Sequence, residues 1–292
     1  MIHEGLTHTS KLVVTDSDTA IALGAGDMPV LATPRIKQGE ISIKTLTMNK
    51  IIISAILAAG FMISCQGSSN NKTEKVESSA DSSVYSFQDC DVTMCGIHFT
   101  KMWNDADKCV SEQDGVITFT APEHTDIFID PNDAKLSAHT AKILFTEVDN
   151  TKPFTFSARI KPGFTPNGLY HAGTLVVMAN DTLWQKFCFE QDERGKHRVV
   201  TVRTIGTSDD NNHEVITQDF IYYKISSDTR TIASYYSLDG KEWQMVRLYR
   251  NNYGNDLKLG ICSQAPQEDV CTSEFSELKL NTDNVKDFRM GE

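Results

Sequence analysis

Leu183-Trp184-Gln185-Lys186-Phe187-Cys188-Phe189-Glu190, the polar link Asp192-Glu193-Arg194-Gly195-Lys196, and the run Arg198 to Ile205 together read as two neighbouring β-strands. Aromatic and β-branched residues fill both runs, and turn-forming residues separate them. Side chains alternate along a strand, so Trp184, Lys186, Cys188 and Glu190 fall on the face opposite Leu183, Gln185, Phe187 and Phe189. In the second run Thr201 and Arg203 form one set, and Val200, Val202 and Thr204 the other.

The same pattern extends in both directions. Strands are expected at Val116–Thr120, Phe154–Ile160, Gly173–Met178, Phe220–Ile225, Thr231–Ser237, Trp243–Tyr249, Leu257–Cys262 and Glu274–Leu280. Their spacing suits an all-β sandwich better than alternating βαβ units, and no long amphipathic helix competes with them. Leu238-Asp239-Gly240-Lys241 sets Asp-Gly between two strands, a strong hairpin signal because both central residues tolerate positive φ. Trp243, Met245 and Arg247 are expected to share a side.

Several ordered runs resemble a known family: Thr125-Asp126-Ile127-Phe128, Trp184 to Glu190, Val200-Thr201-Val202-Arg203-Thr204 with Ser208-Asp209, Tyr235 to Trp243, and Val246-Arg247-Leu248. Together they resemble the concanavalin A-like domain family that includes the yeast regulation-of-enolase protein, over about Trp103 to Leu280. The resemblance implies an all-β, concanavalin A-like jelly-roll sandwich of two antiparallel sheets. It implies no activity, because the family's biochemical role is poorly defined.

Ahead of this domain, Met48-Asn49-Lys50, the apolar stretch Ile51 to Ile63 and Ser64-Cys65 read as a lipoprotein export signal over 48–65. A permanent membrane helix would need about 20 apolar residues, so this shorter core suits cleavage, with Cys65 as the lipid-bearing residue. An ordinary signal peptide or an uncleaved anchor helix is the alternative. Gln66 to Ser83 is Ser, Asn, Lys and Glu with almost nothing apolar, the composition of a tether. Acyl chains on Cys65 contribute roughly 0.8 kcal/mol per buried methylene, so the expected partner here is a membrane. The expected location is the cell envelope, facing either the periplasm or the exterior.

Residues 1–34 resemble the start of a hotdog-fold thioesterase of the fluoroacetyl-CoA type, on Thr9 to Thr15 and Ala22 to Pro34. The resemblance places Thr33 at an active-site position. The chain then turns into Arg35-Ile36-Lys37-Gln38-Gly39-Glu40 in place of the family's long helix, so 1–47 reads as a truncated remnant or a mis-set start, with a working thioesterase as the functional alternative.

Lys+Arg 28 against Asp+Glu 39 gives a net charge of -11, which argues against nucleic acid as a partner. The eight histidines are scattered with no pair at metal-ligand spacing, and neither a Cys-x-x-Cys pair nor a phosphate-binding glycine loop occurs, so no metal or cofactor is implied. Besides Cys65 there are Cys90, Cys95, Cys109, Cys188, Cys262 and Cys271. Cys90 with Cys95 and Cys262 with Cys271 are candidate disulfides, and buried free thiols are the other possibility.

Concave sheets of this fold class bind sugars by stacking an aromatic ring under the pyranose and fixing hydroxyls with charged groups. Trp184, Lys186, Glu190, Arg203, Trp243 and Arg247 supply that chemistry if they converge. The structural alternatives are core or hairpin packing for Trp184 and Trp243, and an ordinary ion pair for Lys186 with Glu190. Asp126 reads as a loop cap or a support for a bound cation. Glu190-Gln191-Asp192-Glu193-Arg194-Gly195 matches two acids of a Glu-x-Asp-x-x-Glu glycosidase run but has Gly195 in place of the third, which fits a strand end and charged turn better. Ser237 to Trp243 is one residue short of a sialidase aspartate box. The expectation is an envelope lipoprotein whose sandwich binds a carbohydrate or glycoconjugate without turnover. A glycoside hydrolase or lyase, and a structural or partner-binding subunit, are the alternatives.

Overall fold

The computed structural model describes residues 85–292, together with the backbone of three short strands nearer the start. The chain divides into two units, Met1–Glu74 and Lys75–Glu292. In the first, β1 (Leu12–Val14), β2 (Ala20–Ala22) and β3 (Val30–Leu31) form a small antiparallel sheet in that order. Apart from those strands, the hotdog-like remnant at 1–47 with Thr33, the export signal with Cys65, and the tether at 66–83 lie outside the described residues. Among the described residues no helix is long and apolar enough to cross a membrane.

The second unit begins with β4 (Gln88–Met94), β5 (Ile97–Trp103), β6 (Val110–Gln113), β7 (Val116–Ala121), β8 (Ile127–Phe128) and β9 (Ala138–His139). Then come β10 (Ile143–Asp149), β11 (Phe154–Pro162), β12 (Ala172–Asn180), β13 (Leu183–Gln191) and β14 (His197–Ile205). The chain closes with β15 (Thr207–Val215), β16 (Ile221–Ser227), β17 (Thr231–Ser237), β18 (Gln244–Arg250), β19 (Asp256–Gln264) and β20 (Cys271–Asn281). An eight-stranded sheet runs β15-β14-β13-β12-β19-β10-β5-β4, and a seven-stranded sheet runs β18-β17-β16-β11-β20-β7-β6. Every pairing is antiparallel. Many spatial neighbours are distant in sequence, so the sheets close as a jelly-roll sandwich, as the resemblance implied.

Alternation decides which side chains fill the gap between the layers. Phe187 and Phe189 of β13 and Leu175 and Val177 of β12 are fully buried, as are Phe156 and Ile160 of β11, Tyr223 of β16 and Phe275 of β20. Each such side chain contributes roughly 1.5–3 kcal/mol by leaving water. Polar ties cross between the sheets as well: the Tyr223 hydroxyl donates to the Cys188 carbonyl at 2.7 Å, and the Ser263 and Ser273 hydroxyls meet at 2.8 Å. The layers approach closely at Gly173, where a Cβ would lie 2.5 Å from Ile160 Cγ2.

Three local expectations change. The link between β17 and β18 occupies 238–243, longer than a two-residue hairpin turn. Only Gly240 takes positive φ (73°), while Asp239 Oδ1 accepts from the N–H groups of Lys241 and Glu242 at 2.8 and 2.9 Å. Neither candidate disulfide forms: the six cysteines among the described residues are free thiols. Cys90 Sγ turns to the Phe99 carbonyl and Cys95 Sγ to that of Gly115, while Cys262 and Cys271 sit on different sheets. Finally, β15 has no apolar signature, because as the outermost strand of its sheet it is largely exposed and carries Asp209, Asp210, Asn211 and Asn212.

Candidate functional site

The outer face of the eight-stranded sheet, turned away from the seven-stranded sheet, carries a pocket of about 480 Å³, within the usual range for small-ligand sites. Its floor is Lys186 and Glu190 of β13, Val200 and Val202 of β14, and Asp210 and Asn212 of β15. Asp126, Phe128, Asp130 and Leu136 rise from the segment preceding β10, and Tyr170, Glu193 and Gln267 complete the wall.

The covering segment is fastened by its backbone. β8 pairs with β9, Thr140 and Ala141 N–H donate to the Asp126 carbonyl, and Thr125 bridges to Ala265. At its far side Ile129 N–H donates to the Ser208 hydroxyl at 2.9 Å, and Ser208 N–H donates to the Ile129 carbonyl at 2.8 Å. These bonds aim the Asp126 side chain at the sheet.

There Lys186 Nζ meets Asp126 Oδ1 at 2.9 Å, with side chains 5% and 20% exposed. Burial alone would push the ammonium toward neutrality, but Asp126 above all holds its pKa above the ordinary lysine value. Asp126 also accepts from Ile127 N–H at 2.7 Å and from Gln264 Nε2, whose carbonyl oxygen accepts from Thr174 at 3.3 Å. The ion pair of Lys186 is thus with Asp126, not with Glu190 as the structural alternative had it, and it anchors the loop and the floor at once.

Glu190 is left without that partner. Its pKa is pushed up to about 8, by burial above all, with Lys186 pulling the other way and Asp210, Asp126 and Asp192 adding to the rise. At neutral pH it is a protonated acid, able to donate as well as accept a hydrogen bond. Desolvation also raises Asp210. Asp192 behaves oppositely: burial would raise it, but N–H donors from Arg194 and Lys196 and the Arg198 guanidinium hold it low. It serves the turn after β13 and does not reach the pocket wall.

At the rim Tyr170 has φ 61° and stays 36% exposed. A bulky residue in that conformation is an outlier found mostly where surrounding structure enforces it, often at ligand sites. Its N–H donates to the Gln191 carbonyl at 2.9 Å, which ties the ring to the end of β13.

The six sequence-selected residues do not converge. Lys186 and Glu190 share the pocket. Trp184 lies on the same side of β13 but is 0% exposed within the hydrophobic core, with its indole N–H donated to the Asp181 carbonyl, and it offers no ring face to a ligand. Arg203 faces the other sheet, its guanidinium 4.5 Å over the Tyr249 ring. Trp243 packs beside the C-terminal segment, 3.7 Å from Lys224 Nζ.

Arg247 departs from Trp243 and Met245 because β17 and β18 shift register between Ser234 and Tyr235. That bulge inserts one residue and reverses the alternation, so Met245 stays opposite Tyr235 while Arg247 turns inward to donate to the Thr201 hydroxyl at 2.7 Å. Sequence reasoning passed over Tyr170, Phe128, Asp210 and the pairing role of Asp126. The available signal was Lys186 itself, a cation in an apolar strand that needs a buried counter-ion. Among the described residues no group of three or more His, Cys, Asp or Glu is arranged to hold a metal ion.

Three solved structures are similar to this chain. A functionally unknown protein from Saccharomyces cerevisiae is similar, with 22% identity, a TM-score of 0.55, and coverage of 62% of this chain and 95% of the other. The GH43 BlXynB protein from Bacillus licheniformis has 14% identity and a TM-score of 0.48, covering 66% of this chain and 38% of that one. A bifunctional GH43-CE protein from Bacteroides eggerthii has 16% identity and a TM-score of 0.47, over 64% and 24% respectively. This chain thus spans well under half of the two GH43 chains. No curated protein matches. Residues 103–283, nearly the whole sandwich, match the family described as "Protein of unknown function (DUF1349)", and the chain belongs to that family.

Proposed function

We propose that this protein binds a carbohydrate in the outer-face pocket and is held at a membrane of the cell envelope through a lipid on Cys65. The observation carrying the binding reading is the floor: a buried Lys186–Asp126 pair beside a protonated Glu190, under the aromatic rim residues Tyr170 and Phe128. Fixed donors and acceptors below a partly exposed ring match a ligand that is apolar on its ring faces and hydroxylated at its edges. Five carboxyl groups against one paired ammonium favour a neutral or amino sugar over a uronic acid. The lipid anchor rests on the sequence from Met48 to Cys65 alone.

One observation favours hydrolysis as a second reading. Glu190, protonated at neutral pH and sharing the pocket with Asp210, has the character of a general acid. Glycan-array binding of the full chain, with Tyr170→Ala and Glu190→Gln variants, tests both readings. Binding that weakens about 10-fold without Tyr170 fits a stacking contact of roughly 1 kcal/mol or more. Binding unchanged in both variants removes the pocket from consideration. Release of reducing sugar by the parent but not by Glu190→Gln establishes turnover.

A further inference from the structure

The two arginines excluded from the outer-face pocket both line a recess elsewhere. β15 and β18 are the terminal strands of their respective sheets, and between them lies an open recess of about 620 Å³. Arg203, Asp209, His213, Arg247 and Tyr249 line it. Arg203 enters from β14 because it alternates with Val202, which lines the opposite face. Arg247 enters from β18 because the bulge opposite Ser234 and Tyr235 turns it inward.

The charges in this recess are unbalanced. Arg247 has one carboxylate nearby, Asp209, but the contact is 3.6 Å long and the Asp209 side chain is 73% exposed. Such a contact contributes little. Among the described residues Arg203 has no carboxylate within ion-pair distance. Its guanidinium is half-buried over Tyr249 and donates a hydrogen bond to the neutral Tyr253 side chain, while its Nε is buried with no acceptor. His213 Nδ1, on the neighbouring strand β15, is likewise buried without a partner. A partly desolvated guanidinium lacking a counter-ion is costly, and an arriving anion relieves that cost. The local excess of positive charge is notable in a chain of net charge -11.

We propose that this recess is a second binding site, which takes an oxyanion, a carboxylate or sulfate group, between Arg203 and Arg247. Two planar guanidinium forks match the paired oxygens of such a group better than ammonium donors would. The Tyr249 ring beside Arg203 supplies an apolar wall for whatever small scaffold carries the oxyanion. Asp209 competes weakly for Arg247 and so lowers the affinity for an anion. The site is on the opposite face of the eight-stranded sheet from the proposed sugar pocket and has the opposite charge, so one can fail while the other stands.

Titration of the full chain with sodium sulfate and with sodium glucuronate, with sodium chloride holding ionic strength near about 0.15 M, tests the assignment. Glucose is the uncharged comparison. Expected is saturable binding of both anions in the millimolar range, seen as movement of the arginine Nε–H and His213 ring resonances, with no such movement for glucose. Arg247→Gln weakens binding by at least about 10-fold, the loss of one charge-assisted contact. Asp209→Asn, on an exposed side chain, tightens it several-fold, an outcome that loss of folding cannot mimic. Binding of sulfate alone also supports the site and restricts it to tetrahedral anions. Absence of saturable binding of sulfate and glucuronate alike, or binding indifferent to both Arg247→Gln and Asp209→Asn, overturns the proposal.

Discussion

Replacing Asp126 by Asn keeps the shape of the side chain but removes the charge that neutralises Lys186. The ammonium is 5% exposed and stays on the pocket floor, because β13 is hydrogen-bonded on both sides and cannot withdraw it. Breaking a buried pair from one side costs about 3–5 kcal/mol, since the remaining charge is stranded. Asp126 is 20% exposed and Asn retains one acceptor for Ile127 N–H, which places the expectation at the low end, about 3 kcal/mol. For a domain of about 200 residues that is a fall in Tm of roughly 6–12 °C. Urea denaturation of the parent, Asp126→Asn, Lys186→Met and the double variant Asp126→Asn/Lys186→Met gives the coupling energy directly. The double variant should lose much less than the sum of the single changes, because both charges leave together. Glu190 sharpens the test: ionised above about pH 8, it can take over part of the neutralisation, so the Asp126→Asn loss should be larger at pH 5 than at pH 9. A loss below about 1 kcal/mol at pH 5 would refute the claim that this pair fastens the covering segment to the floor.

Further outcomes follow from the same geometry. Glu190 has a folded pKa of about 8, above its ordinary 4.5, so the folded state holds the proton more tightly. Its contribution to stability is therefore complete below about pH 4.5 and fades as pH rises toward 8; Glu190→Gln should flatten that decline in a series of denaturation curves. Trp184→Ala should cost about 3–5 kcal/mol of stability, measured by urea unfolding, because it empties a fully buried site. Gly260→Ala drives a Cβ to 2.7 Å from Phe145 Cδ1 and 2.8 Å from the Leu144 carbonyl oxygen, and should lower stability by roughly 1–3 kcal/mol in the same assay. Lys224 is held down to about 8 by burial between Trp243 and the C-terminal segment, where its Nζ donates to the Gly291 carbonyl. Its folded value lies below its ordinary 10.5, so stability should rise between about pH 8 and 10.5, and Lys224→Met should abolish that rise.

Period-two alternation and turn residues were enough to mark β7, β11, β12, β13, β14 and β16 to β20 in the sequence, because strands half-buried against a core must alternate. The same alternation set Lys186 with Glu190 on one face of β13 and parted Arg203 from Val202 on β14, but the register between the two strands, Lys186 opposite Val202, decided that Arg203 lies on the other side of the sheet. β15 escaped because an edge strand facing water has no apolar face to display, though it carries Asp210 into one site and Asp209 into the other. The side taken by Arg247 depended on a bulge, which is one extra residue in a ladder and has no compositional trace. Trp184 looked like a stacking platform, but the sequence could not report that it is buried in the core.

The chain's own composition and periodicity thus determined an all-β sandwich, which side chains share a face of each regular strand, and an acidic character. Tertiary structure alone decided that Asp126, sixty residues before Lys186, would neutralise it, that Glu190 would be left protonated, and that two arginines would line one recess between sheet edges. The physical reason is that local pattern reports which face of a strand is dry, whereas the partner of a buried charge is set by which distant loop folds across that face.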